Sequence, residues 1–392
     1  MLTLIKGANV YAPEKLGKKD ILLAGGKIER IDDNIEIAFS SVNIQIVNGD
    51  NMTVIPGIID QHVHIIGGGG ENGFSSRTPE VTLSNITRWG ITTVVGVLGT
   101  DATSRHMESL LAKAMGLNEE GLSTYIYTGS YELPLVTLTG SIRRDIILID
   151  KIVGVGEVAV SDHRSSAPSA DDIEYIAAEA RVAGMLSRKA GVTHIHLGPG
   201  KTGFKLINEI VERSDIPIFH FRPTHVNRNK GLLDEAMDFA KRGGMIDITA
   251  SSNPSRKTDT DGFSPAGAVK YLIDNGTPIE NITLSSDGGG SLPAFDKDGN
   301  ITGLIAASLS SMYYQLKSMV YDENIPLEEA LKVMSSNVAD GLKLYGKGRV
   351  AEGMDADITV LDKDFDIKYV FANGHKMIDD GNIVVKGTFE EV

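Results

Sequence analysis

The chain of 392 residues contains no cysteine. Disulfides and thiolate ligands are thereby excluded, so any bound metal must be held by His, Asp, Glu or a modified Lys. Long apolar runs are missing as well, and no stretch of about 18 residues reads as a transmembrane helix. The opening residues, Met1-Leu-Thr-Leu-Ile-Lys-Gly-Ala-Asn9, alternate like a strand and lack the pattern of a signal peptide, so a cytoplasmic location is expected. Positive charge is scarce: 38 Lys and Arg face 52 Asp and Glu, a formal net charge of −14. That balance argues against nucleic acid or an anionic membrane as a partner. A pocket can still be locally positive and take a small anion.

What is present reads as a soluble globular protein, with 41% hydrophobic and 23% charged residues. The length suits one large domain with a small satellite. Residues 1–55 read as short strands at 2–6, 20–24, 27–31, 35–38 and 44–47, parted by turn signals at Asp32-Asp-Asn34 and Asn48-Gly-Asp-Asn51. No helical period there is long enough to cover a sheet, which favours a small β domain.

After Pro56-Gly57 the pattern changes to strands alternating with amphipathic helices. Eight strands are expected at 58–64, 92–98, 124–128, 154–160, 192–197, 217–223, 245–249 and 282–286. The first helix has Thr78 as N-cap, Pro79 at N1 and Gly90 past its end. Helices at 171–189, with Asp171 as N-cap, and at 231–242 carry clear apolar faces. This repeat predicts an α/β fold, a (β/α)8 TIM-like barrel over 56–346. Helices are expected near 302–320 and 327–342. The chain then returns to strands at 357–361, 367–372, 375–379 and 383–386, with hairpin turns at Asn373-Gly374 and Asp380-Gly381. Residues 1–55 and 347–392 should therefore build one β-sandwich domain from both chain ends.

The barrel reading locates function beyond the carboxyl ends of its strands. Strand 1 closes in Ile59-Asp-Gln-His-Val-His-Ile65, followed by Gly67 to Gly70 and Glu71. Side chains at i and i+2 leave one face of a strand, so His62 and His64 can reach the same point. Tyr131 follows strand 3, Glu157 and Ser161-Asp-His-Arg164 lie on and after strand 4, and His194-Ile-His196 ends strand 5. Thr224-His-Val-Asn-Arg228 follows strand 6, and Ser285-Ser-Asp287 ends strand 8. A single one of these has a bland reading as a loop histidine or a helix cap; ionisable groups at so many equivalent strand ends do not. A two-metal site is the expected reason, with zinc the first choice and Mn, Fe or Co as alternatives. His62, His64 and Asp287 are assigned to the more buried ion, His196 and His225 to the second, and Glu157 to the bridge. A bridging hydroxide would attack, and Asp287 would take its proton and pass it to the leaving amine.

Asp60-Gln-His-Val-His-Ile-Ile-Gly-Gly-Gly-Gly-Glu71, Pro223-Thr-His-Val-Asn-Arg-Asn229, Ser285-Ser-Asp-Gly288 and the closing Gly387-Thr-Phe-Glu390 resemble the amidohydrolase superfamily, and within it the bacterial isoaspartyl dipeptidases. The resemblance covers essentially the whole chain. It implies two zinc ions, a cytoplasmic homo-octamer, and β-aspartyl dipeptides as substrate, cleaved at the isopeptide bond. By that likeness Glu71 would bind the substrate α-ammonium in a pocket lined by Thr100. Arg228, helped by Ser291, would take the α-carboxylate of the aspartyl residue, and Arg164 the carboxylate of the leaving residue. Tyr131, in a loop able to close over substrate, would donate to the developing oxyanion.

One departure stands out. The resemblance calls for a carboxylated lysine on barrel strand 4, but Val155-Gly-Glu-Val-Ala-Val-Ser-Asp-His-Arg164 has none, which is why Glu157 is assigned the bridge. Its shorter stem requires the strand to bulge inward, eased by Gly154 and Gly156. Two other readings stay open. A cyclic amidase of the dihydroorotase or hydantoinase kind would keep the metal ligands without Glu71, and a non-catalytic scaffold should have lost a ligand.

Overall fold

The computed structural model describes residues 2–37, 43–251, 263–295 and 301–391. The N-terminal part folds as β1 (Leu2–Tyr11), β2 (Lys15–Ala24), β3 (Lys27–Asp32), β4 (Ile44–Asn48) and β5 (Thr53–Pro56). Of the strand expected at 35–38, residues 35–37 lie in no strand and Ala38 is outside the described residues. There the Ile35 N–H donates to the Asp20 carboxylate at 2.9 Å, so a side chain has taken the donor that a ladder would need.

Eight parallel strands follow: β6 (Ile58–Val63), β7 (Ile91–Gly96), β8 (Ser123–Thr128), β9 (Ile152–Val160), β10 (Val192–Leu197), β11 (Phe221–Thr224), β12 (Ile246–Thr249) and β13 (Ile282–Ser285). Strands β6 to β11 form one curled sheet in chain order, and β12 and β13 form a separate parallel pair. A parallel bridge between Val63 and Gly288 joins the pair to β6. On the other side the Val226 N–H donates to the Asp247 carbonyl at 3.4 Å. The chain thus has an α/β fold with eight strands in cyclic order. Strand β11 starts later than the sequence implies: Pro217 offers no N–H, and its carbonyl accepts from His220 at 2.9 Å in a short 3-10 turn.

The helices pack outside this sheet. The helix Ala170–Ser187 buries Ile173, Ile176, Ala177, Ala180 and Ala183, and it begins at a capping box between Ser169 and Asp172 rather than at Asp171. The helix Lys230–Lys241 is capped by Asn229, whose side chain accepts from Leu232 N–H at 2.9 Å. Three expected helices differ, the one at 327–342 being broken into Leu327–Lys332 and Ser336–Leu342. The first spans only Leu83–Thr87, because Thr78 is used elsewhere: its hydroxyl accepts from Gly68 N–H at 2.6 Å and donates to the Gly289 carbonyl at 2.5 Å. Residues 301–306 form β15 (Ile301–Ala306), paired antiparallel with β14 (Ser291–Phe295), so the helix after it begins only at Ser310.

The chain ends in β16 (Ile358–Leu361), β17 (Ile367–Ala372), β18 (His375–Asp379) and β19 (Asn382–Ile383). Asn373-Gly374 and Asp380-Gly381 both have two positive φ values, the requirement of type I′ hairpin turns. Strand β16 pairs antiparallel with β5, which makes one mixed sheet ordered β19-β18-β17-β16-β5-β1-β2-β3, with β4 also on β1. Ile28 of β3 and Phe371 of β17 share one buried cluster with Ile5, Val10, Val54 and Ile358. The two ends of the sheet therefore cover a common core in the manner of a sandwich, while Val370, Ala372, Met377 and Ile378 form a second, smaller cluster.

Lys347 fastens this sheet to the barrel. Its buried ammonium donates to Asp357 at 2.6 Å, to Asn373 at 3.1 Å and to Ser123, at the start of β8, at 2.5 Å. Replacing it by an apolar residue leaves Asp357 buried and unpaired, which costs about 3–5 kcal/mol. Lys347→Met is expected to lower the denaturant midpoint accordingly; an unchanged midpoint in equilibrium unfolding would show that the junction does not depend on this ammonium.

Candidate metal centre

The carboxyl ends of the parallel strands converge on Glu157. The bulge expected around Gly156 is present. Val155 pairs with Thr193 and Val158 with Ile195, so β9 carries one residue more than β10 between those pairs. Gly156 is pressed against β10, where an added Cβ would lie 2.7 Å from His194 Cβ. Glu157 is thereby turned into the barrel and is fully buried.

Its two oxygens face different histidines. Oε1 lies 3.4 Å from His62 Nε2 and 3.6 Å from His64 Nε2. Oε2 lies 3.1 Å from His196 Nδ1 and 3.7 Å from His225 Nε2. Asp287 Oδ1 completes the first group at 3.5 Å from His62 and 3.2 Å from His64. Both Asp287, at φ 57°, and His225, at φ 62°, follow their strands in left-handed backbone, a conformation that costs energy and recurs at functional sites. Thr249 Oγ1, 2.6 Å from His225 Nδ1, leaves the other ring nitrogen facing Glu157.

The electrostatics ask for a cation. Burial opposes charge on His62, but the adjoining Glu157 overcomes it and lifts the imidazole to about 9. Burial also works against an ionised Glu157, yet His62, His196 and His225 hold its carboxyl well below the usual range. Burial first, then Arg228 and His196, push His225 down to about 3. His62 Nε2 and Glu157 Oε1 are buried without a hydrogen-bond partner. Donor atoms held tetrahedrally about 2.0–2.1 Å from zinc stand about 3.3–3.4 Å apart. The carboxylate–imidazole spacings around His62 and His64 are 3.2–3.6 Å. His62, His64 and Asp287 form one group able to hold a metal, and His62, Glu157 and His225 form another. Together they make a binuclear metal-binding site. His196 adds its Nδ1 beside the second group.

Further residues reasoned from the sequence surround the centre. The Glu71 carboxylate accepts from Thr100 Oγ1 at 2.9 Å and from Arg164 at 3.1 Å. A cavity of about 290 Å³ opens beside Glu71 and Thr100 and is bounded by Phe74 and Asp101. Arg228 donates from Nε to the Leu197 carbonyl at 2.8 Å, with its NH2 nitrogen 3.4 Å from His196. Tyr131 is already folded in: it is buried, its hydroxyl is 2.6 Å from His196 Nδ1, and Arg164 lies over its ring. Burial, followed by Glu157, drives its phenol well above the usual range. Ser291 sits against Gly69 and makes no hydrogen bond to Arg228. His163 is exposed.

Three residues at the site carry no assignment from the sequence. His194 Nε2 lies 2.8 Å from His62 Nδ1 and its ring stacks on Tyr127; the i, i+2 spacing with His196 was its only signal. Arg105, buried, donates to the carbonyls of Gly68 and Gly69 at 2.7 and 3.2 Å and so fixes the glycine run before Glu71. Asp162 accepts from Arg164 and contacts His196. Neither Arg105 nor Asp162 has a spacing that marks it in advance.

A structure of beta-aspartyl dipeptidase from Fervidobacterium islandicum AW-1, in complex with the beta-Asp-Leu dipeptide, superposes with a TM-score of 0.89 at 44% identity, covering 98% of each chain. D-Hydantoinase from Thermus sp. shares the fold, with a TM-score of 0.67 at 15% identity over 99% of this chain and 97% of that one. Among curated relatives, the match to N-acetylglucosamine-6-phosphate deacetylase of Lysinibacillus sphaericus is 24% identical and spans only 36% of that protein's length. The amidohydrolase family model matches residues 53–377, and on that extent, with the metal cluster inside it, the chain belongs to the amidohydrolase family.

Proposed function

We propose that this protein is a binuclear metal-dependent hydrolase that cleaves the isopeptide bond of β-aspartyl dipeptides, with zinc as its metal. The observation that carries the reading is the placement of Glu71 and Arg164, opposite charges 3.1 Å apart, beside the binuclear centre. A dipeptide zwitterion needs one carboxylate and at least one guanidinium, and the fork of Arg suits a carboxylate. The relative from F. islandicum, at 44% identity, binds such a dipeptide. A cyclic amide has no free ammonium to meet Glu71, so turnover of β-Asp-Leu against dihydroorotate decides between the two activities.

In this reading His62, His64 and Asp287 hold one ion, His196 and His225 the other, and Glu157 stands between them. The bound ions would make water nucleophilic at neutral pH and polarise the scissile carbonyl. The residues of the chain supply the rest. Glu71, with Thr100, takes the α-ammonium; Arg228, helped by Ser291, takes the aspartyl α-carboxylate; Arg164 takes the carboxylate of the leaving residue. Tyr131 donates its hydroxyl proton toward the oxygen that gains charge. Asp287 accepts a proton on its carboxylate and returns it to the leaving amine. By the same family likeness we place the protein in the cytoplasm as a homo-octamer, and divide the chain into a barrel at 56–346 and a β domain from 1–55 and 347–392. No helix among the described residues is long and apolar enough to cross a membrane.

Glu71 is exposed in the free protein, and substrate would cover it. Truncating one partner of a charge pair so desolvated costs about 2–5 kcal/mol, and Glu71→Gln is expected to lower kcat/KM by roughly 30-fold or more. N-acetyl-β-Asp-Leu should be a poor substrate of the wild type; equal turnover of acetylated and free dipeptide would remove this role from Glu71. Tyr131→Phe is expected to cut kcat by about 100-fold with little change in metal content. An unchanged kcat would take the hydroxyl out of the reaction. Glu157→Ala should lose at least one metal and nearly all activity. Metal loading of the wild type should not respond to bicarbonate, since a glutamate needs no CO2, and a bicarbonate-dependent loading curve would refute the assignment.

A further inference from the structure

We infer that Asp162 is a positioning residue that ties the metal-facing imidazole of His196 to the carboxylate-binding guanidinium of Arg164. The inference rests on the functional reading above. Asp162 lies just beyond β9, and its carboxylate is buried. Gly198 is packed onto it so closely that an added Cβ would sit 2.5 Å from Asp162 Cβ. The carboxylate therefore has a fixed place between the end of β9 and the end of β10.

Both of its oxygens are in use. Oδ1 accepts from the Arg164 backbone N–H at 2.8 Å and from Arg164 Nε at 3.0 Å. Oδ2 accepts from Arg164 NH2 at 2.9 Å and lies 3.0 Å from His196 Nε2. The Nε/NH2 edge of the guanidinium is thus held, and NH1 is left as the nitrogen that reaches the substrate space, where it meets Glu71.

At His196 the same carboxylate selects a tautomer. Of the four groups facing Nε2, Arg164 NH2 at 3.3 Å and Arg228 NH2 at 3.4 Å have no lone pair to offer, and the Tyr131 hydroxyl, 3.4 Å away, sits far closer to Nδ1 at 2.6 Å. Asp162, at 3.0 Å, is the acceptor at Nε2, as Glu157 Oε2 is at 3.1 Å from Nδ1; once a cation occupies the Glu157 side, Asp162 favours the proton on Nε2 and leaves the lone pair on Nδ1. Nδ1 is the nitrogen beside Tyr131 and Glu157, on the metal side. A carboxylate behind a ligating histidine fixes the ring and raises its basicity, and removing such a partner typically weakens metal binding by about 10–100-fold.

One residue thus serves two functions that are ordinarily lost separately. Asp162→Asn keeps the shape, but its amide can donate to Nε2 and so favours the wrong tautomer. In the metal-loaded enzyme, Asp162→Asn is expected to release one metal equivalent to a chelator at about 10–100-fold lower chelator concentration than the wild type. Its KM for β-Asp-Leu should rise roughly tenfold or more, while its KM for β-Asp-leucinamide, which lacks the leaving carboxylate, stays near the wild-type value. Arg164→Gln should reproduce the KM pattern and keep wild-type metal affinity. An Asp162→Asn enzyme with wild-type metal retention, or with an unchanged ratio of dipeptide to amide KM, overturns the inference. Should the wild type fail to hydrolyse β-Asp-Leu, the functional reading falls while the chelator measurement still judges Asp162. If the variant does not fold, 15N NMR of the wild-type holoenzyme, with His196→Gln to assign the ring, decides: a proton on Nε2 is expected, and a proton on Nδ1 refutes the proposal.

Discussion

A carboxylate sealed inside a barrel is the constraint around which this molecule is arranged. Glu157 has no access to solvent, and an isolated ionised carboxyl in such a place would cost many kcal/mol or would take up a proton. The chain avoids both by bringing four imidazoles to its two oxygens, one pair to each. Those imidazoles come from β6 and the residue just after it, from β10 and from the segment after β11, so the strands must be in register for the charge to be compensated. The inward bulge of β9 and the left-handed residues His225 and Asp287 are the local distortions that the arrangement requires. Their neighbours hold them in place: Thr249 behind His225, His194 behind His62, and Asp162 behind His196.

Around this core the pocket is close to neutral in itself. Glu71 is paired with Arg164, Arg164 with Asp162, and Arg228 is tied to the Leu197 carbonyl. A chain with a formal charge of −14 therefore still presents guanidinium groups at the one place where an anionic group would have to dock. Local geometry and not net charge governs what enters, as expected when charges are separated by only a few ångströms in a partly desolvated site.

Much of this was legible in the sequence because the signals were periodic. Two-residue spacing put His62 and His64 on one face, and alternating strands and helices announced the eight parallel strands. Asn-Gly and Asp-Gly turns fixed the C-terminal hairpins. Illegible features were those in which a side chain does something its position along the chain does not encode. Thr78 reads as a helix cap but tethers the glycine run to Gly289. Residues 302–306, Thr-Gly-Leu-Ile-Ala, stand directly before the apolar pattern of the next helix and so read as part of it, yet their pairing with β14 decides their structure. Arg105 and Asp162 act through contacts with segments about 35 residues away, which no local pattern reveals.

The pairing of β5 with β16 has a consequence for how the protein is made. Val54 and Val360 are direct partners although roughly 300 residues separate them. At about 5–20 residues per second, a ribosome needs on the order of 15–60 s between delivering the first strand and the second. Throughout that interval the nascent β5 presents an open edge, with the apolar face of β1 and β2 beside it. Such an edge is a template for pairing with another chain. The parallel barrel must grow from a start that is itself unfinished. Strand β16 closes the sheet that β1 to β5 began, so a product truncated before residue 358 would carry a nearly whole metal centre on an unsealed base.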